Sequence, residues 1–148
     1  MRDWNPKDIE VTELYTLFWR FVEMVVHRYG SSPTGSLLTV LTISLLDQVD
    51  YHPTIGELAE ITRLPKSTVS RYVSTEMSAG FLVEIIDPED RRRRHLYTTK
   101  KTKSELAWLT EQLADIASMS SQVFRKNEGS HNPGLELKEI LMSFSQKV

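Results

Sequence analysis

Apolar positions along the chain recur mostly at helical spacing. Asn5-Pro6 makes an N-cap and first-turn pair, with Asp8 and Glu10 in the first turn. From there Val11, Leu14, Phe18, Phe21, Val22 and Val25 mark a helix to about Arg28. Leu17, Trp19, Met24 and Val26 widen its apolar stripe beyond one face, so this helix needs more than one packing partner. Tyr29-Gly30-Ser31-Ser32-Pro33 breaks the pattern. The segment GSLLTVLTISLLDQV then reads as a mostly buried helix, with Leu37, Leu38, Leu41, Leu45 and Leu46 among its apolar positions. Asp50-Tyr51-His52-Pro53 is a loop, because the residue before proline avoids the helical region.

The next segment is the most regular. Thr54-Ile55-Gly56-Glu57 has the form of a capping box, in which the Thr54 hydroxyl accepts from the third helical amide while Glu57 reaches back. It opens a short helix with Ile55, Leu58 and Ala59 inward and Ile61 as a fourth candidate. Thr62-Arg63-Leu64 is a three-residue turn. A second helix follows, PKSTVSRYVSTEMSAG, with Pro65 at its start and Gly80 just beyond its end. Val69, Tyr72, Val73 and Met77 share its inner face. Ser67, Arg71, Ser74 and Ser78 point the other way, flanked by Thr68 and Thr75. A face that only had to be soluble would carry Glu and Lys by default, and this one carries hydroxyls and an arginine. FLVEIID and RHLYT then read as the strands of a hairpin, joined through Asp87-Pro88-Glu89-Asp90 as a type I turn. The run Arg91 to Arg94 lies at or just past its tip.

From Thr99 the helical pattern returns, with Leu106, Leu109, Leu113, Ile116 and Val123 marking a long helix to about residue 125. Residues 127–131 form a linker, and Asn132-Pro133 cap a final helix carrying Leu135, Leu137, Ile140, Leu141 and Phe144. The fold class expected is mainly α with a small β-hairpin wing: a winged helix-turn-helix flanked by N- and C-terminal helices.

Charge sharpens this. The net charge of −2 hides ten Lys/Arg against five acids within residues 63–103, a segment of +5 that leaves −7 for the rest. Segregation of this kind implies an anionic partner for one part of the chain. A hydroxyl- and arginine-bearing helix suits the major groove of double-stranded DNA, where Arg bonds guanine and Ser or Thr bonds several base edges. An arginine-tipped hairpin suits phosphates or the adjacent minor groove. The expected DNA-contact set is Lys66, Ser67, Thr68, Ser70, Arg71, Thr75, Arg91, Arg92, Arg93 and Arg94. The competing reading of the same basic patch is a protein-interaction module that binds an acidic protein partner.

Other chemistry is thinly represented. The chain has no cysteine, which removes disulfides, thiol chemistry and thiolate metal sites. His27, His52, His95 and His131 show no ligand spacing, so no metal and no cofactor is expected. No Gly-x-Ser-x-Gly elbow and no glycine-rich phosphate loop is present, and the chain is read as no enzyme. The N-terminus lacks a signal-peptide pattern, and Arg20, Glu23 and His27 interrupt the most apolar stretch near it. A cytoplasmic protein without membrane association is expected.

Residues 54–99, TIGELAEITRLPKSTVSRYVSTEMSAGFLVEIIDPEDRRRRHLYTT, resemble the DNA-binding half of the MarR family of bacterial and archaeal regulators. Leu58-Ala59, Ser67-Thr68-Val69-Ser70-Arg71, Gly80-Phe81-Leu82, Asp87-Pro88, Asp90, Arg92 and Thr99 carry the likeness, and the Asp-x-Arg pair of the wing is its most specific part. The resemblance implies that Arg92 enters the minor groove while Asp90 holds its guanidinium. Thr98 stands where the return strand usually has Leu, Thr102 where Gly is common, and Glu84 where many members have a basic residue. The resemblance further implies a homodimer, with a DNA-binding lobe at 34–99 and dimerisation helices at 6–30 and 100–148 in a single domain. It implies a transcriptional regulator, a repressor by preference, on a pseudo-palindromic operator. It also implies a small aromatic or phenolic effector, and Tyr15, Trp19, His27 and Tyr51 are aromatic or polar enough to line its pocket.

Overall fold

The computed structural model describes residues 9–125 and 132–145. The elements are α1 (Ile9–Tyr29), α2 (Thr34–Asp47), α3 (Ile55–Thr62), α4 (Lys66–Ser78), β1 (Leu82–Ile86), β2 (Arg94–Thr98), α5 (Lys100–Arg125) and α6 (Pro133–Ser145). The Asn5-Pro6 cap and the 127–131 linker lie outside the described residues, as do the side chains of Val11, Val123 and Phe144. The chain forms two compact units, one of residues 31–109 and one of residues 1–30 with 110–148.

The core of the first unit is six side chains: Ile43 of α2, Leu58 of α3, Val69 and Val73 of α4, Leu82 of β1 and Leu96 of β2. Ile55, Ala59 and Leu64 pack against them. Full burial of such aliphatic side chains stabilises by about 1.5–3 kcal/mol each, so five short elements share one modest core. Ile61 is about half exposed and takes no part in it, because six residues of helix turn it about 120° away from Ile55. Met77, near the end of α4, is also on the surface.

Local signals set the element ends. The Thr54 hydroxyl accepts the Glu57 amide at 3.3 Å, as a capping box requires. The returning half differs, because the Glu57 carboxylate meets the Thr54 hydroxyl at 3.2 Å rather than the Thr54 amide. Arg63 ends α3 in the left-handed region at φ 57°. Pro65 is the residue just before α4, with φ −56° and ψ 140°. At the other end Gly80 has φ +84°, with Gly80 N–H donating to the Met77 carbonyl (3.1 Å) and Phe81 N–H to the Glu76 carbonyl (2.9 Å). That pair of bonds is a Schellman motif, and its left-handed residue favours glycine.

Helix α2 follows the expected pattern only in part, with Leu37, Leu41 and Leu46 half-buried. Its buried residues are Ser36, Thr39, Ile43 and Ser44, while Leu38 and Leu45 are exposed. Small residues let α2 approach α4 closely: a Cβ on Gly35 would stand 2.9 Å from Tyr72 Cε2. The buried hydroxyls are satisfied, Thr39 and Ser44 by the carbonyls of Gly35 and Val40 (both 2.8 Å) and Ser36 by Glu76 (3.0 Å).

Strands β1 and β2 pair antiparallel, with Leu82 opposite Thr98, Glu84 opposite Leu96 and Ile86 opposite Arg94. On the far edge of β2, Leu96 N–H donates to the Pro53 carbonyl at 2.9 Å, which holds the loop after α2 against that edge. Thr98, without the usual leucine, donates its hydroxyl to Asp47 of α2. Thr102 is buried and gives its hydroxyl to the Phe81 carbonyl.

In the second unit, α1 leaves Leu14, Phe18, Val22 and Val26 between about 40% and 66% exposed, one residue per turn along a single stripe. The Asn132 side chain accepts the Leu135 amide at 3.1 Å, as the predicted cap requires. Leu135 and Met142 of α6 are exposed as well.

Candidate nucleic-acid interface

Of the positions predicted on α4, Lys66, Ser67, Arg71 and Thr75 are exposed, together with Ser74 and Ser78, while Thr68 and Ser70 are half-buried. Thr75 donates its hydroxyl proton to the Arg71 carbonyl and Ser78 donates to Ser74, each at 3.0 Å. Those two hydroxyls therefore present lone pairs outward and serve as acceptors. Among the described residues no carboxylate pairs with Arg71, whose guanidinium carbon lies 5.7 Å from the Tyr72 ring centre.

The wing turn departs from the expected geometry. The Asp87 carboxylate, not its carbonyl, takes the amides of Glu89 (2.8 Å) and Asp90 (3.4 Å). An aspartate before proline folds its side chain back in this way readily. The backbone β-turn lies three residues later, closed by Arg93 N–H on the Asp90 carbonyl at 2.9 Å, and Asp87 N–H on the Arg93 carbonyl (2.9 Å) seals the base. Arg91 and Arg92 thereby become the two corner residues. Asp90 does position Arg92, but through the backbone: its Oδ1 accepts the Arg92 amide at 3.0 Å. The predicted clamp on the guanidinium is replaced by this contact, because an Asx turn brings the carboxylate onto its own chain.

The four arginines are not equivalent. Arg94 Nη1 lies 2.7 Å from Glu84 Oε1, and Arg93 Nη2 lies 3.9 Å from Glu57 Oε1. Among the described residues Arg91 and Arg92 form no ion pair. Glu57 is held below the usual carboxylate range chiefly by the hydrogen bond from Tyr51, with Thr54 and then Arg93 adding to it against the opposing effect of burial. Glu57 and Glu84 were not among the predicted site residues. Pairing 84 with 94 needs the hairpin register, and pairing 57 with 93 needs the tertiary fold.

Behind the turn lies a second group that the linear order did not bring together. His95 Nδ1 is 2.8 Å from the His52 carbonyl and its Nε2 is 3.1 Å from Asp87 Oδ2. The His52 ring stacks on Tyr97, with centroids 3.7 Å apart and planes at 19°. Its nitrogens face Asp47 (3.2 Å) and Asp50 (3.0 Å).

The candidate effector residues fall in both units, Tyr15 and Trp19 one turn apart on α1 and Tyr51 in the loop after α2. Tyr15 is exposed on α1, and Trp19 lines a groove of about 370 Å³ with Gly134, Leu137, Lys138, Leu141 and Met142. Tyr51, in the other unit, donates its hydroxyl to Glu57. His27 is exposed beside Glu23 at 3.7 Å. A cavity of about 240 Å³, absent from the sequence expectations, is lined by Ser44, Asp47, Gln48, Thr98, Thr102, Lys103 and Leu106. Among the described residues no His, Asp or Glu group is arranged to hold a metal ion, and no helix is long and apolar enough to cross a membrane.

Residues 38–93, from α2 to the wing turn, match the model of the MarR family. Over these residues the winged-helix unit is similar to the MarR family. A MarR-like transcriptional regulator from Thermotoga maritima has the same fold, at 20% identity and a TM-score of 0.58, over 97% of this chain and 94% of that one. MepR of S. aureus does too: a variant bound to an oligodeoxyribonucleotide superposes at a TM-score of 0.61 and 13% identity, covering 97% of this chain and 98% of that one. MepR bound to ethidium bromide gives 0.57 and 13%, covering 99% and 98%. At these identities the likeness is one of fold. No curated protein matches the sequence. MarR-family members are transcription regulators, and it is the family that supports reading this chain as a regulator rather than an enzyme.

Proposed function

We propose that this protein is a homodimeric regulator that binds a pseudo-palindromic operator in double-stranded DNA and represses transcription from it. The observation that carries the reading is a pair of cationic features on one unit. The outward face of α4 bears Ser67, Arg71, Ser74 and Thr75, and the wing turn bears Arg91 and Arg92 without counter-charges among the described residues. Arg71 and the hydroxyls read base edges in the major groove, and the wing arginines meet phosphates or the flanking minor groove. The DNA-bound MepR structure lends support through the shared fold.

The dimer brings two such units to half-sites about one helical turn apart. The exposed stripe of Leu14, Phe18, Val22 and Val26 supports dimerisation through the helices at 6–30 and 100–148, since monomers rarely expose a continuous apolar stripe. A DNA-binding role of this kind is exercised in the cytoplasm. Release by a small aromatic or phenolic effector completes the proposal. It is supported by the Trp19 groove and by MepR's capacity to bind ethidium bromide. Mobility shift of a duplex at low salt, lost steeply as salt rises, tests the reading. Absence of any shift at low salt rejects it.

A further inference from the structure

His95 is about three-quarters buried, and both of its ring nitrogens face acceptors: the His52 carbonyl at 2.8 Å and the Asp87 carboxylate at 3.1 Å. A neutral imidazole carries one N–H, so either tautomer satisfies one contact and sets lone pair against lone pair at the other. Only the imidazolium donates to both. The two acceptors belong to different parts of the unit. Asp87 builds the wing turn, its Oδ1 holding the amides of Glu89 and Asp90 while its own amide closes the base on Arg93. His52 belongs to the loop between α2 and α3, with its Nδ1 3.2 Å from Asp47 of α2, and its ring stacks on Tyr97 of β2. The charged ring of His95 therefore ties the turn that presents Arg91 and Arg92 to the body of the unit.

We propose that protonated His95 is a positioning residue for the wing, fixing the turn so that Arg91 and Arg92 meet DNA, and that wing engagement is consequently pH-dependent. The proposal rests on the DNA-binding reading above.

The surroundings favour the cation. From the turn, Asp87 attracts it and Arg93 repels it. From α2 and the following loop come Asp47 and Asp50, with His52 between them. Glu57 of α3 stands near Arg93, and Lys103 of α5 lies 3.9 Å from Asp47. Arg94, on the other face of the hairpin, is matched by Glu84. The result is a His95 pKa above the ordinary 6.5, caused first by Asp87 and then by the His52 carbonyl, against partial burial and Arg93. A raised folded-state value means the tether is complete below 6.5 and is lost as pH rises through the higher folded value. Asp87, held below 3.8 by the Glu89 amide first and His95 second, stays charged throughout that window.

The test uses the full chain and a random-sequence duplex at low salt, with titration of the histidine rings followed by NMR. In the free protein His95 is expected to titrate above 6.5, with the amide shifts of residues 91–93 following it. Duplex affinity should weaken roughly three- to tenfold across that titration, the factor set by the net worth of about one hydrogen bond. His95→Gln should abolish this pH dependence. Asp87→Asn, which keeps the Oδ1 acceptor of the turn, should move its midpoint to lower pH and keeps the question open to measurement if the first variant folds poorly. Binding should in turn raise the His95 pKa, since linkage is reciprocal. Wing amides that ignore the His95 titration, or duplex binding that is flat across it, would overturn the proposal alone. No duplex binding at any pH, with the wing still following His95, would overturn the DNA-binding reading and the proposal with it.

Discussion

Arg94 and Glu84 neutralise one another on one face of the wing, Nη1 to Oε1 at 2.7 Å. The register explains the contact: Glu84 faces Leu96 across the hairpin, which makes Arg94 its diagonal neighbour on the same face. A run of four arginines therefore offers fewer free cations than its formal charge suggests. On the proposed DNA-binding reading, Glu84 would compete with phosphate for Arg94 and so limit binding that ignores sequence.

Glu84→Gln should release Arg94. Affinity for unrelated duplexes should rise, and the plot of log affinity against log salt should steepen by up to about 0.9, the increment for one further phosphate contact. Fluorescence anisotropy over a salt series measures both. A slope equal to wild type would mean that Arg94 does not reach phosphate.

Asp90 acts on Arg92 through the Arg92 amide. Asparagine keeps an acceptor at that place, so Asp90→Asn should bind DNA at least as tightly as wild type, whereas Asp90→Ala should bind more weakly. If the carboxylate instead clamped the guanidinium, both variants would lose affinity alike.

Arg71→Ala and Arg92→Ala should separate two kinds of contact. Loss of a base-reading arginine costs about 1–3 kcal/mol at the preferred base and flattens preference there. Loss of the corner arginine of the wing should weaken binding to most duplexes by a similar factor. Competition assays with matched and altered sites distinguish these outcomes, and equal losses for both variants on all sites would contradict the division.

Gly35→Ala should destabilise the chain even though alanine favours helices. The new methyl would stand 2.9 Å from the Tyr72 ring. Overpacking costs about 1–3 kcal/mol, and the helical gain of about 0.5–1 kcal/mol offsets only part. Thermal unfolding should show a net loss near ~1 kcal/mol, relieved when Tyr72 is replaced by Leu. An unchanged or raised Tm would mean that α2 and α4 pack less tightly than described.

What the sequence made legible was local. The Thr54 cap, the glycine stop at Gly80, the Asn132 cap and the order helix, turn, helix, hairpin depend on residues a few positions apart. Helix α2 was only partly legible because hydrophobicity marked its leucines, whereas close approach to α4 selected Gly35, Ser36 and Thr39 for the inside. The turn was displaced because Asp87 bonds with its side chain where a backbone bond was expected. His95 meets His52 across 43 residues, and no spacing rule connects them. On α4 the exposed set came from helical periodicity alone, except that Thr68 and Ser70 turned out half-buried.

Selection of bound duplexes from a random pool tests the central claim most directly. The account predicts enrichment of an inverted repeat with half-sites about 10 base pairs apart, centre to centre, and loss of preference at one or more positions of each half-site with Arg71→Ala. A pool that emerges without any enriched repeat, from protein that is folded and dimeric, would contradict it.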